Sequence, residues 1–506
     1  MTALPHDPGG TADVLAFLGD PRTHGGAAVE RIDTHAAVVF LAGDRAWKVK
    51  KPVRLPYLDF STRARRWAAL RAELALNAPG APDLYLGLWA VVVRDGAPAL
   101  VPAAEAGPDA GAEPVLAMRR FPADAALDRM AAAGALTPAL ARRLGDTVAD
   151  WHARAPLRCG AGAADALAAV ADGNAAEMRS RPALFPAAAV DGLAAATAAA
   201  LRRWGPLLEA RGMAGRVRRC HGDLHLGNIV LWRGDPTPFD AIEFDETFAT
   251  IDVLYDLAFL VMDLERLGLR AAAHAVLDRW LERTGDWGGL GALPLFLSLR
   301  AAVRAKVAAA MGRDDDARTD LDLACRLLAP APVRVVAVGG LSGTGKTTLA
   351  RALAPGIGAA PGAVILRSDV LRKRLWGVDP ETRLPPDAYA PAVTAAVYAR
   401  LVRWTEVLAR AGRAVVVDAV SARGQERAAL ADAARLAGVP FCGLWLEAPV
   451  GVRCRRVSAR APDASDADAG VAAAQEEYGT GVLAWHRVAA GGDMAEVLAR
   501  AREFLS

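Results

Sequence analysis

Between Gly340 and Thr347 the chain reads Gly-Leu-Ser-Gly-Thr-Gly-Lys-Thr, which meets the spacing GxxxxGK[ST] at every fixed position. Glycines so spaced let backbone N–H groups turn inward around phosphate oxygens. A helix opened by such a loop adds a dipole that favours negative charge. In this pattern Gly340, Ser342, Gly343, Thr344 and Gly345, with Thr348 just behind, are expected to contact a nucleotide. Lys346 is expected to reach its β- and γ-phosphates and the Thr347 hydroxyl to bind Mg²⁺. The strand-like run before the loop and the helix-like run after it argue against a chance glycine turn.

Two aspartates follow later apolar runs, Asp369 beyond Leu366 and Asp418 beyond Val415-Val416-Val417. Open α/β sheets bind ligands at the carboxyl ends of their strands. Either acid could orient Mg²⁺ or take a proton from an acceptor hydroxyl; either could instead cap a helix. Arg453, Arg456 and Arg460 come after the next strand-like run, with Arg456 and Arg460 four apart. On a helix those two share a face and could clamp phosphates, or form a solvated basic face. Asp463 to Ala469 reads as a mobile loop.

A second constellation lies upstream, in Cys220-His-Gly-Asp-Leu-His-Leu-Gly-Asn228. The spacing H-x-D-x-x-x-x-N suits phosphoryl transfer: Asp223 takes the acceptor proton and Asn228, five residues on, reaches Mg²⁺. Zinc binding by His221 and His225 would need a helix, and Gly222 and Gly227 favour a loop. A capped polar turn is the plainest alternative. Lys48 ends a strand-like Arg-Ala-Trp-Lys run, and Glu73 in the next helical segment could pair with it over the phosphates, with Lys50 and Lys51 close by. For a second metal ligand the run Phe239-Asp-Ala-Ile-Glu-Phe-Asp245 offers Glu243 first and Asp240 second. Strand alternation would put these two on opposite faces. Asp256 is expected to steady the catalytic loop.

These residues need two kinds of scaffold. Strand-like runs at Ala36 to Leu41, Ala46 to Val49, Leu86 to Val93 and Val115 to Met118 suggest a small antiparallel sheet. Helical spacing follows over Leu136 to Trp151 and Val190 to Arg211. A hairpin is expected over Asn228–Trp232 and Thr237–Glu243, and helices over Asp252 to Leu328. Pro330 and Pro332 mark a boundary, after which strands and helices alternate as in a parallel sheet. The division expected is 1–329 and 330–506, an α+β part and an α/β part. The 506 residues, 53% hydrophobic and 23% charged, suit ordered domains. A net charge of +3, from 60 basic against 57 acidic residues, argues against a nucleic-acid partner. Five scattered cysteines and no signal-like or membrane-spanning run point to a cytoplasmic location without a membrane partner.

The order phosphate loop, Arg367-Ser-Asp369, Val417-Asp-Ala419 and an arginine-bearing segment ending in Asp463-Ala-Ser-Asp-Ala467 resembles small P-loop kinases of the zeta-toxin, gluconate-kinase and adenylylsulfate-kinase kinds. The likeness covers Val333 to Ser506. It implies phosphoryl transfer from ATP to a small acceptor, with Asp369 as base; motor ATPases of the AAA family would show an acidic pair after an apolar strand. Upstream, His221-Gly-Asp-Leu-His and Asp256-Leu-Ala resemble the aminoglycoside phosphotransferase family, which has a two-lobed protein-kinase-like fold. That likeness spans roughly Thr34 to Arg326. It implies Asp223 as base, Asn228 as metal ligand and Lys48 as phosphate lysine. The chain departs from it at Ile242-Glu243, where Ile-Asp is usual, and in lacking a glycine-rich loop before Lys48.

Over nearly its full length the sequence resembles bifunctional aminoglycoside phosphotransferase and ATP-binding proteins, in Lys48-Val-Lys-Lys-Pro-Val, Leu58-Asp-Phe-Ser-Thr and Ile251-Asp-Val. The reading that follows is an ATP- and Mg²⁺-dependent phosphotransferase with two nucleotide sites and a small-molecule hydroxyl acceptor. Arg300, Arg304 and Lys306 hint at an anionic acceptor, or form a solvated basic face. The alternative is a pseudokinase-like sensor that controls a P-loop ATPase or kinase.

Overall fold

A computed structural model describes residues 11–55, 58–106, 111–158, 160–460 and 463–505. The expectations about the first ten residues and Cys159 lie outside the described residues. The chain divides into two compact units. The first is Met1–Leu136, Trp151–Cys159 and Gly215–Asp256; the second is Thr137–Asp150, Gly160–Ala214 and Leu257–Ser506.

The first unit is built on a six-stranded antiparallel sheet. Its strands are β1 (Val29–Asp33), β2 (Ala37–Ala42), β3 (Arg45–Lys50), β4 (Tyr85–Arg94), β5 (Ala97–Pro102) and β6 (Glu113–Arg119), in the order β1-β2-β3-β6-β4-β5. Alternation along β3 sends Trp47 and Val49 into one apolar cluster with Val38, Phe40 and Val115. Lys48 and Lys50 therefore project from the opposite face. Helix α1 (Arg63–Asn77) is capped by the Thr62 hydroxyl, which accepts from the Arg65 N–H, and buries Leu70 with Leu116 and Met118. Sequence reading missed the two edge strands. β1 is Val-Glu-Arg-Ile-Asp, mostly exposed, and β5 carries two prolines. Edge strands tolerate both, because one side of the ladder is unpaired.

The expected hairpin is present as β7 (Ile229–Trp232) and β8 (Asp235–Pro238), turned at Arg233 and Gly234 with φ of 51° and 92°. Its second strand stops at Pro238, well short of Glu243. Asp240 has a φ of 61° and donates its N–H to the Tyr85 hydroxyl at 3.0 Å, so the chain has left the sheet there. The alternation that would set Asp240 opposite Glu243 does not apply.

In the second unit five parallel strands form one sheet: β9 (Val335–Gly340), β10 (Val364–Arg367), β11 (Val415–Asp418), β12 (Phe441–Glu447) and β13 (His486–Ala489), ordered β10-β11-β9-β12-β13. Val336, Val338, Ile365, Val416 and Leu444 form its core. The helices that follow these strands include α9 (Lys346–Leu353), α10 (Ser368–Leu375) and α13 (Val450–Ser458), after α11 (Pro391–Arg410) and α12 (Gly424–Leu436). Earlier in the chain come α2 (Pro138–Arg154), α3 (Ala163–Arg179), α4 (Ala187–Met213), α5 (Val253–Arg266), α6 (Arg270–Thr284), α7 (Leu293–Ala310) and α8 (Asp314–Leu328). No helix among the described residues is long and apolar enough to cross a membrane. Cys220, Cys325, Cys442 and Cys454 form no disulfides.

Two neighbouring strands of this sheet use glycine to admit one indole. A Cβ at Gly443 would stand 2.4 Å from the Trp485 ring and one at Gly339 would stand 2.7 Å from it. Trp485 is itself 8% exposed, so it has little room to retreat. Gly443→Ala is expected to cost about 1–3 kcal/mol by overpacking. Urea unfolding followed by tryptophan fluorescence checks this; an unchanged midpoint would show that the ring moves aside freely.

Candidate nucleotide sites

The first unit gathers a lattice of buried ions. Lys48 donates to Glu73 Oε1 at 2.7 Å and also to Asp240. Lys50 lies 2.8 Å from Glu73 Oε2 and 2.6 Å from Glu243 Oε1. Burial works against the charge on Lys48, but Asp240, Glu73 and Glu243 outweigh it and raise its pKa well above normal. For Asp240 burial is opposed by Lys48 and Lys50, which hold the carboxyl at about 2. Glu243 goes the other way: burial raises its pKa despite Lys50. Where a glycine-rich loop would stand, the β1–β2 turn at Thr34–Ala36 has none, and Lys51 pins it by donating to the Thr34 carbonyl at 2.6 Å. His35 in that turn feels Asp240 and Asp223, while burial lowers its pKa.

Asp223 and Asn228 lie beside this lattice in the same unit. Asn228 Nδ2 donates to the Asp223 carbonyl at 3.0 Å and to Asp223 Oδ2 at 2.9 Å. The chain around them turns at Gly222, with a φ of 86°, and closes in a single 3-10 turn over Leu226–Asn228 that His225 caps, so His221 and His225 do not share a helix. Its histidines serve the loop itself. His221 Nε2 bonds the Phe239 carbonyl at 3.0 Å, and His225 Nδ1 accepts from the Gly227 N–H at 3.1 Å. Among the described residues the one three-ligand grouping is His152, Cys220 and Asp256, which excludes both. Asp256, fully buried, accepts from the Gly222 N–H at 2.8 Å and the His221 N–H at 3.3 Å, and bonds His152 Nε2 at 3.1 Å.

In the second unit the phosphate loop runs from the end of β9 into α9. Gly343 is pressed against α13: a Cβ there would fall 2.5 Å from the Arg453 carbonyl oxygen. Gly345, at a φ of 95°, precedes α9 and leaves its first N–H groups without a side-chain cap. Thr347 Oγ1 donates to Asp418 Oδ2 at 2.6 Å, a pair of hard oxygens suited to Mg²⁺. Lys346 Nζ donates to the Leu341 carbonyl at 3.2 Å, and burial lowers its pKa against the pull of Asp418 and Asp369. Asp369 sits in the first turn of α10, where burial raises its pKa against Arg367. Thr348 is exposed and lines the same cleft. Gly340 donates its N–H to the Val420 carbonyl at 3.1 Å, and Thr344 Oγ1 to the Leu341 carbonyl at 2.8 Å.

Several pairings here were not read from sequence. Gln475 Oε1 accepts from the Ser342 N–H at 2.6 Å, so one loop amide is already engaged. Arg367 pairs with Asp463 through two bonds of 3.0 and 2.7 Å. Asp466 takes Lys373 at 2.7 Å and the Leu384 N–H at 3.0 Å. The segment expected to be mobile is therefore anchored by two of its carboxylates. Arg456 lines the cleft, but its guanidinium donates to the carbonyls of Ala490 and Gly492 at 2.7 and 3.0 Å. α13 ends at Ser458, so Arg460 does not share its face; it donates instead to the Ser465 and Ala467 carbonyls. On α7, Arg300 lies 4.8 Å over the Phe259 ring and Arg304 lies 3.6 Å from Asp263, which is not a solvated basic face.

Asp256 supplies a direct test of the catalytic-loop lock. Asp256→Ala would strand buried N–H donors, at about 1–3 kcal/mol for each group left unsatisfied. Asp256→Asn keeps one acceptor and is expected to cost less. Denaturant unfolding with hydrogen exchange at the Gly222 amide checks both. Exchange no faster than in the parent would show that the carboxylate does not hold the loop.

Comparison with known proteins finds two family matches, the first of which runs through parts of both compact units. The phosphotransferase enzyme family matches residues 60–293, and the AAA domain family matches residues 335–479. Uncharacterized proteins of Mycobacterium tuberculosis and Mycobacterium bovis are each 32% identical over 512 residues, covering 96% of this chain and 95% of theirs. Among solved structures, a choline/ethanolamine kinase family protein from Mesorhizobium loti is 17% identical over 63% of this chain and 94% of its own, with a TM-score of 0.36. A gluconokinase from Sinorhizobium meliloti is 23% identical over 35% of this chain and 93% of its own, with a TM-score of 0.24. An aminoglycoside 2'-phosphotransferase is 14% identical over 63% and 98%, with a TM-score of 0.39. The chain belongs to the same family as the two mycobacterial proteins, and it is a kinase-type enzyme that joins a phosphotransferase domain to a P-loop AAA domain.

Proposed function

We propose that this chain is an ATP-dependent phosphotransferase with two nucleotide sites, one in residues 1–329 and one in residues 330–506, each acting on a small-molecule hydroxyl. In each, the acceptor oxygen bonds to the γ-phosphorus as the bond to the β–γ bridging oxygen breaks. ADP leaves, and the hydroxyl proton passes to a carboxylate. Asp223 is that carboxylate in the first site and Asp369 in the second.

In the first site Lys48 contacts the phosphates and Glu73 fixes it there. Asn228 and Asp240 would hold Mg²⁺; Asp240 is the better second ligand because its side chain is 40% exposed, whereas Glu243 is 5% exposed and bonded to Lys50 at 2.6 Å. In the second site the loop from Gly340 to Thr348 and Lys346 receive the phosphates, Arg456 borders them, and Thr347 with Asp418 holds Mg²⁺. When bound, the metal neutralises charge that builds up on the phosphate oxygens. The observation that carries the reading is the 2.6 Å pairing of Thr347 with Asp418 in front of the phosphate loop. The acceptor of neither site follows from it. The second cleft favours neither sign of acceptor, since nine arginines and nine carboxylates line it.

One observation favours a second reading, a nucleotide-sensing first site that controls the other. Lys48 is already spoken for by two carboxylates, and no glycine loop covers it. ATP turnover with Mg²⁺ separates the readings, using wild type, Asp223→Ala and Lys346→Ala with aminoglycosides, sugars and nucleosides as acceptors and products read by mass. Asp223→Ala is expected to lose about 100-fold or more of one transfer while ATP still binds. Lys346→Ala is expected to abolish nucleotide binding at the second site. Unchanged turnover in Asp223→Ala would sink its role as base. Hydrolysis without any phosphorylated product, stopped by Lys346→Ala alone, would turn the first site into a sensor.

A further inference from the structure

The parallel sheet of the second unit ends on β10, and an exposed edge strand invites a partner. Helix α6 covers it. His274 Nε2 bonds the Ala363 carbonyl at 2.8 Å, just before β10 begins. At the far end Glu282 accepts from Arg367 Nη1 at 2.9 Å. Eight residues of helix rise about 12 Å, and four residues of strand about 13 Å. The helix is thus tied to the chain at both ends of β10. Yet α6 lies inside the stretch that matches the phosphotransferase family, and β10 inside the AAA match.

Glu282 gathers more than one strand end. It is 4% exposed and also accepts from Arg142 Nη2 at 2.6 Å, Arg279 Nη1 at 3.2 Å and Arg351 Nη2 at 3.1 Å. Arg351 stands on α9, the helix that the phosphate loop opens. Arg367 stands two residues before Asp369, with its Nε 3.4 Å from Asp418 and its other nitrogens on Asp463. One carboxylate from α6 therefore fixes both the helix behind the loop and the arginine between two acids. The cleft that holds Lys346, Thr347, Asp369 and Asp418 has a volume of about 1520 Å³. Arg143 and Asp146 of α2 and Arg279 of α6 line it as well.

We propose that the P-loop site is composite: α2 and α6 form its acceptor-side wall, and Glu282 is the positioning residue that holds Arg367 against Asp418 and Asp463. The proposal rests on the assignment of the P-loop site made above. It means that the P-loop reaction depends on helices encoded ahead of Pro330. Glu282 touches no substrate; it acts through Arg367, which places the acids on either side.

The test uses the full chain in an Asp223→Ala background, so that only the second site turns over. Basal ATP hydrolysis with Mg²⁺ and binding of a fluorescent ATP analogue are measured for Glu282→Gln, Arg367→Gln and the paired variant, with Lys346→Ala as the zero for hydrolysis and second-site binding taken as the part of the analogue signal that Lys346→Ala removes. The paired variant removes one charge of each sign, which keeps a folded protein available if Glu282→Gln alone leaves too many arginines unmatched. Glu282→Gln is expected to lower kcat at least tenfold while KM and analogue affinity stay within threefold. The pair is expected to lose no more than the worse single variant, because the two act as a unit. Wild-type kcat in Glu282→Gln, or losses that multiply in the pair, would overturn the proposal. So would a fall in analogue affinity equal to the fall in kcat, since that marks a brace for the fold alone. If Lys346→Ala itself leaves analogue binding and hydrolysis unchanged, the P-loop assignment falls, and the composite site with it.

Discussion

A charge withdrawn from water must be matched within a few ångströms or it will not stay charged. That constraint organises both halves of this chain. Lys48 and Lys50 are 8% and 4% exposed, and Glu73 not at all. Two ammonium groups alone in such a place would be forced neutral. Three carboxylates, Glu73, Asp240 and Glu243, keep them ionised. The sheet makes the match possible. β3 alternates, so Lys48 and Lys50 leave one face while Trp47 and Val49 enter the apolar core on the other. α1 packs across the lysine face and brings Glu73 to both.

The second unit solves the same problem with opposite signs. Glu282 is a buried carboxylate surrounded by arginines, two of which, Arg142 and Arg351, it shares with buried Asp278. Burial alone would raise its pKa; Arg367, Arg142 and Arg351 outweigh burial and hold it at about 2. Arginine suits this role better than lysine, since its planar fork can serve two carboxylates at once. Arg367 does so, with Glu282 on one nitrogen and Asp463 on two. Asp463 in turn ties down a stretch whose composition reads as loop.

This pattern sets the limit of what sequence could reveal. The phosphate loop was legible because its chemistry is contiguous: every group from Gly340 to Thr347 acts within eight residues. The pairing of Asp223 with Asn228 was legible for the same reason, since the two stand five apart. The partners that hold these loops lie far off in sequence. Lys48 meets Asp240 across 192 residues, Ser342 meets Gln475 across 133, and Arg367 meets Glu282 across 85. No local spacing encodes such pairs. Asp240 was misplaced for a local reason: β8 ends at a proline, and a residue of positive φ then redirects the chain. The edge strands β1 and β5 were missed because neither buries an alternating face.

The two lysines proposed to meet phosphate differ in what they hold beforehand. Lys346 makes no ion pair among the described residues; its ammonium rests on one carbonyl, and burial lowers its pKa. An incoming phosphate would supply the opposite charge that this buried cation lacks, so the electrostatic gain is direct. Lys48 is already neutralised by Glu73 and Asp240. There a phosphate would have to take the place of Asp240, and the gain is only the difference between two matched states. That exchange is costly unless Asp240 finds another cation at the same moment. A divalent metal held by Asp240 and Asn228 would provide one, so nucleotide and metal should enter the first site together, whereas the second site can take phosphate on the strength of its lysine and loop alone.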